Sequence, residues 1–205
     1  MNGEILMVRK THPMDNELWM ILTMSNYRRA NTNGGTCFFT VVTYRRQEFL
    51  CNNNVREALR DGIRHVTATR PFIIDGWVLL PDHLHCIWTL PPNDANFGVR
   101  WAMIKRYVTK QCAADLQRND WMSTSKRKRN ESTLWQRRFW EHQIRDDRDY
   151  EKHMDYLHYN PVKHGLVKNV KDWRHSTFHR YHRNGVYDEN WGGDDVLVMD
   201  EEFGE

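Results

Sequence analysis

Cysteine is scarce and scattered. The four cysteines of this 205-residue chain, Cys37, Cys51, Cys86 and Cys112, include no C-x-x-C pair. That argues against a zinc–thiolate site and for a reduced, intracellular protein. Long apolar runs are also missing, and no stretch approaches the length of a transmembrane helix. The amino-terminal MNGEILMVRKTHPMDNELWMILT is interrupted by Glu4, Asp15 and Glu17, so it lacks the apolar stretch of a signal peptide. A cytoplasmic protein with no membrane partner is expected. No G-x-x-x-x-G-K-[ST] loop is present, and no nucleotide cofactor is expected. Internal repeats are absent. Excess charge is small too, at a net +3, but it is segregated. Carboxylates crowd the end of the chain (Asp194, Asp195, Asp200, Glu201, Glu202, Glu205), which leaves a more basic body suited to an anionic partner such as nucleic acid.

What is present is apolar material in two periods. Hydrophobic residues make up 40 % and aromatics 12 %, enough for a Trp-rich core. Residues 1–25 read as an appendage, 26–195 as one domain and 196–205 as an acidic tail. Strands are expected at 36–43, 72–80 and 83–90, with a fourth inside 134–145. Val55, Leu59, Ile63 and Val66 recur at helical intervals within 52–69, where asparagines are available to cap the start. Phe97, Trp101, Ile104, Val108 and Cys112 do the same within 96–116. The basic stretch 118–133 reads as a mobile loop. A last helix is expected from Asp146 to about Asn160, stopping at Pro161. The order β-α-β-β-α-β-α suits an α+β, ferredoxin-like antiparallel sheet with helices on one face, plus the final helix.

Two segments carry chemistry. In Pro81-Asp82-His83-Leu84-His85-Cys86-Ile87-Trp88, the strand period of two puts His83 and His85 on one face. Two adjacent imidazoles can hold a divalent cation. In Tyr150 to Asn160, the spacing i, i+3, i+7 aligns His153, Tyr156 and Asn160 on one helical face. A phenol can attack phosphorus and form a phosphotyrosine ester, but with an ordinary pKa of about 10 it needs help. Each element alone has a structural alternative: exposed strand histidines, a packed tyrosine, a helix-terminal asparagine.

Together the segments PDHLHCIWTLP, WQRRFWEHQIRDDRDYEKHMDYLHYNPVKHGLV and DWRHSTFHRY, with SNYRRANTNGGTCFFTV before them, resemble the REP-associated tyrosine transposases. These are bacterial relatives of the single-tyrosine HUH transposases. The likeness spans roughly residues 24–195. It implies a metal-dependent single-strand DNA endonuclease and strand transferase with a ferredoxin-like core, acting beside hairpins of repetitive extragenic palindromes in DNA transposition and recombination. It implies Tyr156 as nucleophile, with Tyr150 and Tyr159 as competitors, and His83, His85 and Asn160 as ligands of Mg2+ or Mn2+. His153 is a candidate for orienting Tyr156. Single-stranded or hairpin DNA is the expected partner, the nucleoid the expected place of work, and a monomer is favoured over a dimer.

Candidate DNA contacts are Tyr27, Arg28 and Arg29, the basic helical face of Lys105, Arg106 and Lys110, and the run Lys126, Arg127, Lys128 and Arg129. The run resembles an insertion relative to shorter relatives. Residues 1–23 depart from the family pattern and read either as a flexible arm or as the product of a start codon assigned too early. Three other readings compete. One is a non-enzymatic hairpin-binding protein. Another is an HUH replication or mobilisation initiator. The third is a metal phosphodiesterase in which water attacks.

Overall fold

The computed structural model of the chain describes residues 34–193. The expected extension 1–25, the acidic tail 196–205 and the candidate contacts Tyr27, Arg28 and Arg29 lie outside the described residues.

Four strands form one antiparallel sheet: β1 (Gly35–Val42), β2 (Ile73–Leu79), β3 (His83–Leu90) and β4 (Trp140–Gln143), in the order β2-β3-β1-β4. The two central strands, GTCFFTVV and HLHCIWTL, are rich in β-branched and aromatic side chains and are buried along almost their whole length. The helices α1 (Asn53–Thr69) and α2 (Phe97–Leu116) connect β1 to β2 and follow β3. This is the ferredoxin-like arrangement. Gly34 makes entry to β1 feasible: its φ is +85°, and a Cβ there would lie 3.0 Å from the Pro91 carbonyl oxygen.

The strand period sorts side chains onto two faces. Cys37, Phe39, Val41, Leu84, Cys86 and Trp88 face α1 and α2 and join Val55, Leu59, Trp101, Ile104 and Val108 in one core. Trp88 stacks on Trp101 with centroids 4.2 Å apart. Asn52 occupies the N-cap of α1 but makes no side-chain cap bond. The fully buried Arg100 is held by Asp94 at 2.6 Å and by the carbonyls of Arg70 and Pro71.

The opposite face is covered by α4 (Asp147–Lys163). Asp146 caps its start by accepting from the Asp149 amide. Phe38, Val78, Leu80 and Ile87 of the sheet meet Met154, Tyr156 and Leu157 of this helix. Gly76 permits the approach, since a Cβ there would lie 2.8 Å from Met154 Sδ. The helix does not stop at Pro161, as the sequence suggested, but continues through it to Lys163. A proline so close to the end removes one intrahelical bond, and His164 N closes the last turn onto the Asn160 carbonyl. The segment before α5 (Phe178–Arg183) covers the β2 edge, where Leu79 N reaches the His175 carbonyl and Thr177 N reaches that of Trp77.

The basic stretch 118–133 is also more structured than a loop. It holds a 3-10 turn at Asn119–Trp121 and the short helix α3 (Thr124–Lys128), capped by Ser123.

Candidate active site

The β1–β3 register fixes the histidines. His83 lies opposite Val42 and His85 opposite Thr40, so both project towards α4. The two-residue Pro81-Asp82 turn is pinned by Thr43 N and Thr43 Oγ1, each donating to the Asp82 carbonyl at 2.9 Å. His83 and His85 are 1 % and 0 % exposed, with ring centroids 4.9 Å apart and planes at 82°. Each ring is gripped at Nδ1. The Asp82 carboxylate holds His83 Nδ1 at 2.6 Å, and Thr40 Oγ1 pairs with His85 Nδ1 at 2.8 Å. Burial pushes the Asp82 carboxyl up, but hydrogen bonds and charge from His83 and Arg46 outweigh it and hold it at about 2. His83 Nδ1 is taken up by the carboxylate, and His83 Nε2 is buried without a hydrogen-bond partner, which makes it the ring atom available to a metal. Such an imidazole is prepared to ligate a metal.

From the other side, α4 brings Tyr156 against His85, with centroids 5.4 Å apart, and His164 against His83 at 5.0 Å. Asn160 lies one turn after Tyr156 and one turn before His164, and is fully buried. It is thus bracketed by two residues that touch the two histidines. An imidazole pair plus a carboxamide oxygen is a donor set that fits a divalent cation. Tyr156 Oη accepts a hydrogen bond from Lys163 Nζ at 3.2 Å, and the ammonium also lies 4.9 Å from the ring centroid.

The other tyrosines go elsewhere. Tyr150 Oη pairs with Tyr181 Oη at 3.2 Å, and burial pushes its phenol far up. Tyr159 packs beside Val170 and Phe178 in a separate cluster. His153 packs against Phe38, with centroids 5.0 Å apart, and its Nδ1 donates to the Asp149 carbonyl.

The basic candidates are split. Lys105, Arg106 and Lys110 lie on α2, across the sheet from the histidines. Lys105 Nζ donates to the Gln136 carbonyl, and burial pulls its ammonium down to about 8. Lys126 turns inward, 3.8 Å from the Tyr44 ring centroid and 3.3 Å from the Ser132 carbonyl, unlike the exposed Arg127, Lys128 and Arg129.

Sequence reasoning missed Thr40, Arg46, Lys163 and His164 as parts of the site and took Asp82 only for a turn residue. A usable signal existed for one of them, because Lys163 follows Tyr156 at i+7, the spacing that aligned His153 with Asn160. Arg46 depends on geometry that no pattern announces. It sits next to Arg45, both with φ near +55°, and its Nη1 reaches Asp82 Oδ2 at 3.0 Å.

No protein-family model matches the chain. A REP-associated tyrosine transposase of Escherichia coli (strain K12) is 45 % identical to it over 171 residues, covering 83 % of this chain and 93 % of that protein. The chain belongs to the REP-associated tyrosine transposase family. A Haemophilus influenzae protein carrying the same family name is 43 % identical over 176 residues, covering 86 % of this chain and 98 % of its own length. The solved structure of a REP-associated tyrosine transposase bound to a REP hairpin matches with a TM-score of 0.73 at 45 % identity, over 89 % of this chain and 98 % of that one. The α+β fold is therefore the fold of this transposase family, and the chain is a tyrosine transposase. Among the described residues, no helix is long and apolar enough to cross a membrane.

Proposed function

We propose that this transposase cuts and rejoins single-stranded DNA beside REP-type hairpins, with Tyr156 as the nucleophile. The observation that carries the proposal is the meeting of Tyr156 with His85 while Lys163 holds its hydroxyl. That a similar transposase was solved with a REP hairpin supports the choice of partner.

Tyr156 Oη attacks phosphorus and loses its proton. The bond from phosphorus to the 3′-oxygen breaks, and that oxygen leaves as a hydroxyl after taking up a proton. The 5′-phosphate stays esterified to Tyr156, and a 3′-hydroxyl from the same or another strand reverses the step. Lys163 supplies positive charge where the phenol oxygen becomes negative. Asp82 and Thr40 hold the two imidazoles in fixed orientations. His83, His85 and Asn160 are the residues that would hold Mg2+ or Mn2+, which when bound withdraws charge from the scissile phosphate. Hydrophobic cover from Phe38 and Ile87 keeps bulk water away from the buried histidines.

Recognition is assigned to separate residues. Tyr27, Arg28 and Arg29 contact the hairpin. Exposed Arg127, Lys128 and Arg129 contact phosphates, and their removal lowers the salt dependence of binding. The protein acts as a monomer in the cytoplasm, at the nucleoid.

The test incubates the full chain with a labelled strand carrying a REP-type hairpin and a single-stranded flank, with Mg2+ or Mn2+. A covalent protein–DNA band that survives detergent and disappears with chelator is expected. Hairpin binding that is indifferent to chelator, with no covalent band, would leave a non-enzymatic binder. Cleavage without a protein–DNA bond would point to attack by water.

A further inference from the structure

His142 of β4 and Asp149 and His153 of α4 meet just beyond the candidate active site. One ligand atom from each lies within 4.8 Å of the others. His142 Nε2 is 2.8 Å from Asp149 Oδ2, and His153 Nδ1 is 3.2 Å from Asp149 Oδ1. The two imidazoles stack with centroids 4.4 Å apart and planes at 11°. Phe38 separates this group from His85: its ring centroid lies 5.0 Å from that of His153 and 5.4 Å from that of His85.

We propose that His142, Asp149 and His153 form a second cation site, of zinc type, that clamps the edge strand β4 to the first turn of α4. Two imidazoles and one carboxylate are a donor set that zinc accepts with one position left for water. Access is one-sided, since the Asp149 and His153 side chains are 6 % and 2 % exposed and that of His142 is 26 % exposed. His153 Nδ1 donates to the Asp149 carbonyl at 2.8 Å, a hydrogen bond that an ion at this nitrogen would replace.

A cation near a helix N-terminus is opposed by the helix dipole, but Asp146, Asp147 and Asp149 supply compensating negative charge in that turn. Arg145 occupies part of the carboxylate, with its backbone N and Nε 3.0 and 3.1 Å from Asp149 Oδ2. Its side chain is 74 % exposed and can swing into solvent when an ion takes its place. The clamp would act one turn ahead of Tyr156 and fix the tilt of α4 over the sheet.

The experiment titrates the chelator-treated full chain with Zn2+ by calorimetry and with Co2+ by visible absorption. His142→Gln/His153→Gln and His83→Ala/His85→Ala are compared with the unmodified protein. The His142→Gln/His153→Gln chain should bind one Zn2+ fewer than the unmodified protein and lose the intense Co2+ bands of four-coordinate geometry. The His83→Ala/His85→Ala chain should keep that Zn2+ and those Co2+ bands, and Zn2+ should raise its Tm. Equal Zn2+ stoichiometry in the unmodified and His142→Gln/His153→Gln chains overturns the proposal. If that double variant does not fold, Asp149→Asn decides, with Zn2+ affinity expected to fall at least about tenfold. Unchanged affinity there overturns the proposal as well. Failure of the nucleophile and Mg2+/Mn2+ assignments would leave these differences in place.

Discussion

The two faces of the sheet are equally buried and chemically opposite. Towards α1 and α2, β1 and β3 present Phe39, Val41, Leu84, Cys86 and Trp88, an apolar set closed by stacked indoles. Towards α4, the same strands present Thr40, His83 and His85 among Phe38 and Ile87. Burial therefore does not distinguish core from site. What distinguishes them is the pairing of each buried polar group. Asp82 grips His83 and Thr40 grips His85, because an unpaired imidazole in such a place would be expensive. One face packs an apolar core against α1 and α2, and the other holds the candidate site residues against α4.

The contrast predicts opposite responses to substitution. Tyr156→Phe should reduce strand cleavage by more than about 10^4-fold. Its melting temperature should stay close to that of the unmodified protein, because the ring and its packing are retained. Collapse of the fold in that variant would mean that the α4 face is core after all. Trp88→Ala reverses the pattern. It should cost about 3–5 kcal/mol of stability in denaturant titration, since Trp88 is fully buried against Trp101 and Phe72.

Lys163→Met is a milder cut on the site side. Loss of a charged hydrogen bond to Tyr156 Oη should slow cleavage by roughly 10- to 100-fold in single-turnover kinetics, with hairpin affinity little changed. An equal loss of affinity would move Lys163 from the reacting oxygen to DNA binding.

The smallest effect belongs to the core side and depends on pH. Arg100 holds the Asp94 carboxyl at about 2, below its ordinary value, through their hydrogen bond. A carboxyl whose pKa is lowered on folding adds stability above its unfolded value near 4, and that contribution is lost as pH falls towards 2. Asp94→Asn should therefore cost about 1–2 kcal/mol at neutral pH and progressively less below pH ~4. A cost independent of pH over that range would refute the ion-pair account.

Much of this contrast was legible in the chain. The strand period alone placed His83 and His85 together, and the helical period aligned Tyr156 with Asn160. Those periods are local, and so they survive in one dimension. The supporting residues are non-local. Thr40 reaches His85 only through the β1–β3 register, across 45 positions in the chain. Arg46 reaches Asp82 only because two consecutive arginines adopt positive φ. Pro161 looked like a stop, yet the helix ran on to Lys163, where its side chain meets the tyrosine. The run from Lys126 to Arg129 read as one set of DNA contacts in a mobile loop, but one of its charges turned in beneath Tyr44. Composition cannot reveal which member of a charged run finds an aromatic ring.

The most direct test of the central claim is mass-spectrometric mapping of the covalent DNA adduct. The protein is reacted with a hairpin-bearing strand, digested with nuclease and trypsin, and the tryptic peptides Asp149 to Lys152 and His153 to Lys163 are fragmented. The expected result is a nucleotide phosphate on Tyr156 and none on Tyr159 or Tyr150. An adduct on either of those tyrosines, or cleavage with no adduct at all, would contradict the account.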